Sequence, residues 1–218
     1  MDFKSIEMEE TYEQLAMERE CGMSNVLSRL NNLRREYELK FKKDETTRNL
    51  IDKIEYRIKS YDSAIEKIKR KGWPMEPSSL DQMHDIAGIR IIVPYLDDID
   101  ELKEIVKKQR SMKVVEERDY INNPKDNGYR SLHLIVKMMV VFSEKTKWVP
   151  VEIQFRTRAM DLWASYEHTL KYKNPNPSPD TVQQFSEIAK QLAIFENSLT
   201  TLRDFNVEDM IAAESDNK

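Results

Sequence analysis

Apolar positions along the chain follow two rhythms. From residue 3 to about 43, Met23, Val26, Leu30, Leu33 and Tyr37 recur at spacings of three and four, with Lys, Arg and Glu between them. This spacing predicts a long amphipathic helix, and so narrow a stripe suits packing on another helix, including one from another subunit. Ile54, Ile58, Tyr61, Ile65 and Ile68 repeat in the same way and predict a second helix over about 45–71, ended by Gly72-Trp73-Pro74. The rhythm then changes. Ile89 to Val93 is a short, nearly continuous apolar run, the pattern of a buried strand. Asp97 is the expected cap of a helix through about 110 that carries Ile99, Leu102, Ile105 and Val106. Residues 113–117 predict a strand, 129–141 a long one, 143–147 a hairpin turn and 148–156 its partner, with Pro150 at an edge or bulge.

In the last of these strands Val151, Ile153 and Phe155 alternate with Glu152, Gln154 and Arg156. A period of two places the three polar groups on one face of a sheet. Thr157 then reads as the N-cap of a helix bearing Met160, Trp163, Ala164 and Leu170. Residues 174–179, with prolines at 175, 177 and 179, leave the core. A final amphipathic helix carries Phe185, Ile188, Leu192, Phe195, Leu199 and Leu202, and the acidic tail after Asn206 reads as frayed. Strands joined by a tight turn are antiparallel, so the expected class is α+β with one mixed sheet. The expected units are a helical extension over 1–44, a central domain over 45–173, a C-terminal helix over 174–205 and a disordered tail over 206–218.

Composition narrows the classes. The 218 residues include 34% charged and 39% hydrophobic positions, which suits long solvated helices around a modest core. A net charge of −4 argues against a general nucleic-acid coat, so any basic site is local. One cysteine, Cys21, excludes an internal disulfide and a cysteine zinc cluster. The acidic N-terminus has no apolar segment of secretory type, and no run approaches the ~20 apolar residues of a membrane helix. A cytoplasmic protein with no membrane partner is expected.

Several residues carry possible chemistry, and each has a plainer reading beside it. Asp85 precedes a buried strand and Glu152 projects from another; two such carboxylates suit a magnesium ion, although Asp85 also serves as an ordinary cap at a strand entry. Lys59, Ser63, Lys67 and Arg70 fall on one side of the second expected helix, with Arg57 near its apolar edge; they are either a solvated basic face or a row aimed at a polyphosphate. In the loop 122–128, Gly128 permits close backbone approach, and Tyr129 offers a flat face for a base. Alternation places Tyr129, Ser131 and His133 on one side with Ile135. Four glycines in the whole chain leave no phosphate loop of Walker type to place. Three scattered histidines assemble neither a serine triad nor a zinc-peptidase motif.

At these residues the chain resembles the small alarmone synthetases, stand-alone (p)ppGpp synthetases of the RelA/SpoT superfamily. The matching stretches are YRIKSYDSAIEKIKRKG, HDIAGIRI, RDYINNPKDNGYRSLH and VEIQFRTRAMDLWASYEH. The NPKDNGYRSLH form is nearer the RelP type than the RelQ type. The resemblance implies a mixed sheet of about five strands flanked by helices, related to nucleotidyltransferases. It implies magnesium-dependent transfer of the β,γ-pyrophosphate of ATP to the 3′-hydroxyl of GDP or GTP. By motif, Asp85 and Glu152 are the implied metal ligands and catalytic pair, Glu152 activating the hydroxyl. Arg57 and Arg90 are implied to sandwich adenine, and Lys59, Ser63, Lys67 and Arg70 to hold the ATP phosphates. Tyr129 is implied to stack on guanine, with Arg118, Lys125, His133, Gln154 and Asp161 as further acceptor contacts. Asp161 stands where some members have Asn. A homotetramer is the implied assembly. Two other classes fit the residues read alone: a transferase moving another phosphorus group, and a non-catalytic nucleotide-binding or helical interaction protein.

Overall fold

Five strands pair in the order β1-β2-β5-β4-β3 to form a single mixed sheet. They are β1 (Lys53–Ile58), β2 (Ala87–Val93), β3 (Met112–Asp119), β4 (Leu132–Val141) and β5 (Thr146–Thr157). The computed structural model describes residues 3–43, 49–174 and 177–215. Only the β2–β5 pair is parallel; β1–β2, β5–β4 and β4–β3 are antiparallel. The helices are α1 (Phe3–Lys43), α2 (Tyr61–Lys71), α3 (Pro77–Asp81), α4 (Leu96–Lys107), α5 (Arg158–Lys173) and α6 (Pro179–Ser215).

One face of the sheet is the core. Ile89, Ile91 and Val93 of β2, Val151, Ile153 and Phe155 of β5, and Leu132, Leu134 and Val136 of β4 are all buried there. Met23, Val26 and Leu30 of α1 and Ile99, Leu102 and Val106 of α4 close over them. A second cluster joins Met8, Tyr12 and Leu15 of α1 to Ala64 and Ile68 of α2 and to Leu80, Met83 and Ile86. The narrow stripe of α1 is therefore spent on this chain's own sheet, not on a neighbouring helix. At 1.5 Å rise per residue its 41 residues span about 60 Å, long enough to cross both clusters. Gly22 lets it lie close: a Cβ there would stand 2.8 Å from a methyl of Val149.

The expected helix over 45–71 is corrected. Residues 45–48 lie outside the described residues, 53–58 form β1, and only 61–71 are helical. Ile54 and Ile58 are four apart, a spacing that fits both periods, but KIEYRI also alternates residue by residue. Ser60 sets the boundary, because its extended backbone and side-chain oxygen cap the Ser63 N–H. Asp97 is not the cap of α4: the Asp98 carboxylate accepts from the Tyr95 N–H at 3.0 Å. Asp97 instead accepts both Arg203 nitrogens from α6. The long strand begins at Leu132, not Tyr129, and α6 continues past Asn206 to Ser215. Residues 175, 176 and 216–218 of the expected linker and tail are outside the described residues. Pro150 lies where β5 has outrun β2, whose pairing starts at Glu152, so its missing N–H costs no bond on that side.

Candidate active site

The register assembles the site on the other face of the sheet. Cross-strand partners place Arg57, Gly88, Glu152, Ile135 and Glu116 in one row across all five strands. Glu55, Arg90, Gln154, His133 and Arg118 form the next row on that face. Two recesses flank these rows. The larger, about 480 Å³, is lined by Glu55, Arg57, Asp85, Arg90, Glu152 and Gln154 among others. The second, about 370 Å³, is lined by Lys67, Trp73, His84, Asp85, Arg118 and Glu152 among others. Asp85 and Glu152 belong to both, so the two recesses meet at the two carboxylates. No side chain stands over Gly88, where an added Cβ would meet nothing within 4 Å.

Each carboxylate is held by donors. Lys67 Nζ lies 2.7 Å from Asp85 Oδ1, and Lys59 Nζ lies 3.3 Å from Oδ2. Burial pushes the Asp85 carboxyl up, and the two ammonium groups more than offset it, holding it below the usual aspartate range. His133 Nδ1 stands 3.2 Å from Glu152 Oε1, and the Gln154 amide nitrogen donates to Oε2 at 2.7 Å. Glu152 is 6% exposed, and burial alone would raise its carboxyl. The His133 and Gln154 contacts reverse that and hold it below the usual glutamate range.

The sequence-predicted residues are gathered with some exceptions. Arg57 and Arg90 line the larger recess as a pair, but Arg57 reaches it from a strand, not a helix. Gln154, expected on the acceptor side, lines that recess too, and Lys67, expected on the donor side, lines the other. Ser63 is occupied at the start of α2, with its hydroxyl 2.9 Å from that of Ser60. Arg70 is exposed and lines neither recess. Tyr129 is wedged edge-on among Tyr120, His133 and Trp163, with the Lys125 ammonium 4.8 Å from its ring centre. Ser131 is buried, and its hydroxyl donates to the Phe155 carbonyl of β5 at 3.0 Å. Asp161 binds Arg156 at 3.0 Å and Arg90 at 3.4 Å.

Four contributors escaped the sequence reading. Glu55 holds Arg90 at 3.0 Å inside the larger recess, and Glu116 accepts from Nε and Nη2 of Arg118. Tyr120 shares the Lys125 ammonium with Tyr129, at 4.6 Å from its own ring centre. Glu196 of α6 is 6% exposed and accepts from Arg130 at 2.5 Å and from the Thr157 hydroxyl. The signal for Glu55 was the alternation in KIEYRI; nothing local marks Glu196, whose partners are distant in sequence.

Two adjoining recesses, lined by cations and meeting at two carboxylates, define the class of protein: a transferase-type site for two phosphate-bearing ligands. Residues 56–177 match the region found in RelA and SpoT proteins. The chain is 41% identical over 149 residues to GTP pyrophosphokinase YwaC of Bacillus subtilis, covering 66% of this chain and 71% of that one. It is 40% identical over 146 residues to GTP pyrophosphokinase YjbM of the same organism, covering 65% and 68%. The crystal structure of small alarmone synthetase 1 from Bacillus subtilis bound to its product pppGpp superposes with a TM-score of 0.80 at 31% identity, covering 88% of this chain and 96% of that one. The same synthetase bound to AMPCPP gives 0.74 at 28% identity, with 91% and 99% covered. The chain belongs to the RelA/SpoT family, and its fold is that of the small alarmone synthetases.

Proposed function

We infer that the protein is a GTP pyrophosphokinase, which moves the β,γ-pyrophosphate of ATP to the 3′-hydroxyl of GDP or GTP and yields AMP with ppGpp or pppGpp. The observation that carries this reading is the pair Asp85 and Glu152 where two cationic recesses meet. Relatives named for this activity and neighbours bound to pppGpp and AMPCPP support it.

In the reaction the 3′-oxygen bonds to the β-phosphorus, the bond from that phosphorus to the α–β bridging oxygen breaks, and AMP leaves. Such transfers depend on positioning and charge neutralisation more than on covalent help from the protein. Arg57 and Arg90 are assigned to the adenine, and Lys59 and Lys67 to the ATP phosphates. Ser63 and Arg70 retain that assignment only at the outer margin. Tyr129, Arg118, Lys125, His133 and Gln154 are assigned to the acceptor, and Asp161 to its base. Glu152, in contact with His133 and Gln154, takes the hydroxyl proton as the new bond forms.

Asp85 and Glu152 also fit a magnesium ion. Both are hard oxygen donors, and among the described residues no group of three or more His, Cys, Asp or Glu forms a complete protein cage. Two carboxylates plus phosphate oxygens and water are the donor set magnesium prefers. When bound, the ion would neutralise phosphate charge. Among the described residues no helix is long and apolar enough to cross a membrane.

The test is an incubation with ATP, magnesium and GDP or GTP. AMP and a guanosine tetra- or pentaphosphate should form in equal amounts; ADP or inorganic pyrophosphate as the stoichiometric by-product would refute the reading.

A further inference from the structure

Arg156 lines neither recess, yet both oxygens of Glu152 are connected to it. It is 5% exposed, and its guanidinium reaches three acceptors. Nη1 donates to Asp161 at 3.0 Å, and Nη2 donates to the Tyr129 hydroxyl at 3.0 Å and to the Gln154 side-chain oxygen at 3.2 Å. A guanidinium has no acceptor, so the direction of each bond is fixed at its source. A carboxylate only accepts, so Nδ1 of His133, 3.2 Å from Glu152 Oε1, carries the proton, and the neutral ring presents Nε2 as acceptor to the Tyr129 hydroxyl 2.8 Å away. The Tyr129 oxygen in turn receives from Arg156. Along the second branch the Gln154 oxygen faces Arg156, so its NH2 faces Glu152 Oε2 at 2.7 Å. One cation therefore holds the outer end of both chains of hydrogen bonds that finish on the Glu152 carboxylate.

We propose that Arg156 is a positioning residue for the reaction, acting on Glu152 through Tyr129–His133 on one side and Gln154 on the other. The proposal rests on the function inferred above. It assigns Arg156 no contact with either nucleotide. Asp161 balances the buried charge, so the guanidinium is held without drawing on the carboxylate it orients. A lysine cannot replace it, because a single ammonium on a flexible stem lacks the planar fork that reaches Asp161, Tyr129 and Gln154 together.

The experiment uses the full chain, Arg156→Lys, which keeps the charge beside Asp161, and Arg156→Met. Nitrogen-15 histidine spectra of the neutral imidazole report the hydrogen bond at Nε2. Both variants should shift the His133 Nε2 resonance from its wild-type position while the proton stays on Nδ1. In parallel, kcat should fall about 10- to 100-fold, the usual effect of losing an outer partner of a metal-binding group, while KM for ATP stays within about threefold. Adding Arg156→Met to a Tyr129→Phe/Gln154→Leu double variant should cost little more, because both branches are already cut. An unchanged His133 Nε2 resonance in both variants would overturn the proposal, as would additive losses in that combination or a rise in KM without a fall in kcat. A wild type that binds both nucleotides but forms no product would refute the inferred function alone, because the resonance is read without turnover.

Discussion

His133 of β4 and Glu152 of β5 meet diagonally between neighbouring strands, with Nδ1 3.2 Å from Oε1, on the face opposite the core. The contact ties a buried carboxylate to a ring that has Tyr129 on its far side. Glu152→Gln keeps the shape and removes the charge. Turnover should drop about 10²- to 10⁴-fold, the scale of losing a proton acceptor, while fluorescent analogues of ATP and GDP still bind within a few-fold of wild type. Normal turnover in this variant would remove Glu152 from the chemistry.

The same contact has a signature in stability. The folded Glu152 carboxyl is held below its ordinary value of 4.5. Its ionised form therefore stabilises the fold above that value, and the stabilisation is lost as pH falls through the lower, folded one. Urea midpoints of wild type and Glu152→Gln should differ at neutral pH and converge as pH falls below the ordinary carboxylate range, because only this carboxylate separates the two chains. A gap that widens on acidification would show that the sign is wrong.

Lys67 makes the shorter of the two contacts to Asp85. A charge-assisted hydrogen bond contributes about 1.5–3 kcal/mol, so Lys67→Met should raise KM for ATP by about 10- to 150-fold if this ammonium moves onto ATP phosphates. Initial rates at fixed GDP and varied ATP measure it. An unchanged KM for ATP with a raised value for GDP would reassign Lys67 to the acceptor, in line with the recess it lines.

Helix α6 packs against the loop before β4. Its backbone lies so close that a Cβ on Gly128 would stand 2.7 Å from the Ala189 side chain, and Gly128 has φ +88°. Glu196 joins Arg130 of that loop to Thr157 at the start of α5. Glu196→Ala leaves Arg130 largely buried without its carboxylate, which should cost about 1–3 kcal/mol of stability. KM for GDP should rise and that for ATP should not. Equal rises in both would make α6 a scaffold for the whole site.

An unpaired apolar face on α6 supports assembly of several copies, as proposed for the family resemblance. Ile194 is 68% exposed, Phe195 55% and Leu202 58%, in one helix. Light scattering at micromolar concentration should give a multiple of the 25.9 kDa chain mass. Phe195→Lys should reduce that multiple; a monomeric wild type would refute the assembly.

The parts legible in the sequence were those with one unambiguous period. In β5 the alternation of Val151, Ile153 and Phe155 with Glu152 and Gln154 gave both faces, and Thr157 does cap α5, accepting from Met160 N–H. β1 was hidden because Ile54 and Ile58 satisfy two periods at once. The stripe of α1 said that something covers it but not what, since a sheet and a helix bury the same residues. The Arg156 network was invisible for a different reason. Position 156 was read on the site face, but the choice of Asp161, Tyr129 and Gln154 as its partners depends on how α5 and the loop before β4 fold back over it.

Four cations of the site already have an internal carboxylate: Asp85 for Lys59 and Lys67, Glu116 for Arg118, Glu55 and Asp161 for Arg90. At these four a ligand would enter by exchanging partners, not by meeting bare charge. The exchange would act as a valence filter, because a lone phosphate must compete with carboxylates already in register, whereas a di- or triphosphate presents several groups at once. Withdrawal of Lys59 and Lys67 onto such a ligand would uncover both Asp85 oxygens at that moment, so polyphosphate and cation would load together. AMP, left with one phosphate after transfer, would lose the contest to the returning carboxylates and depart.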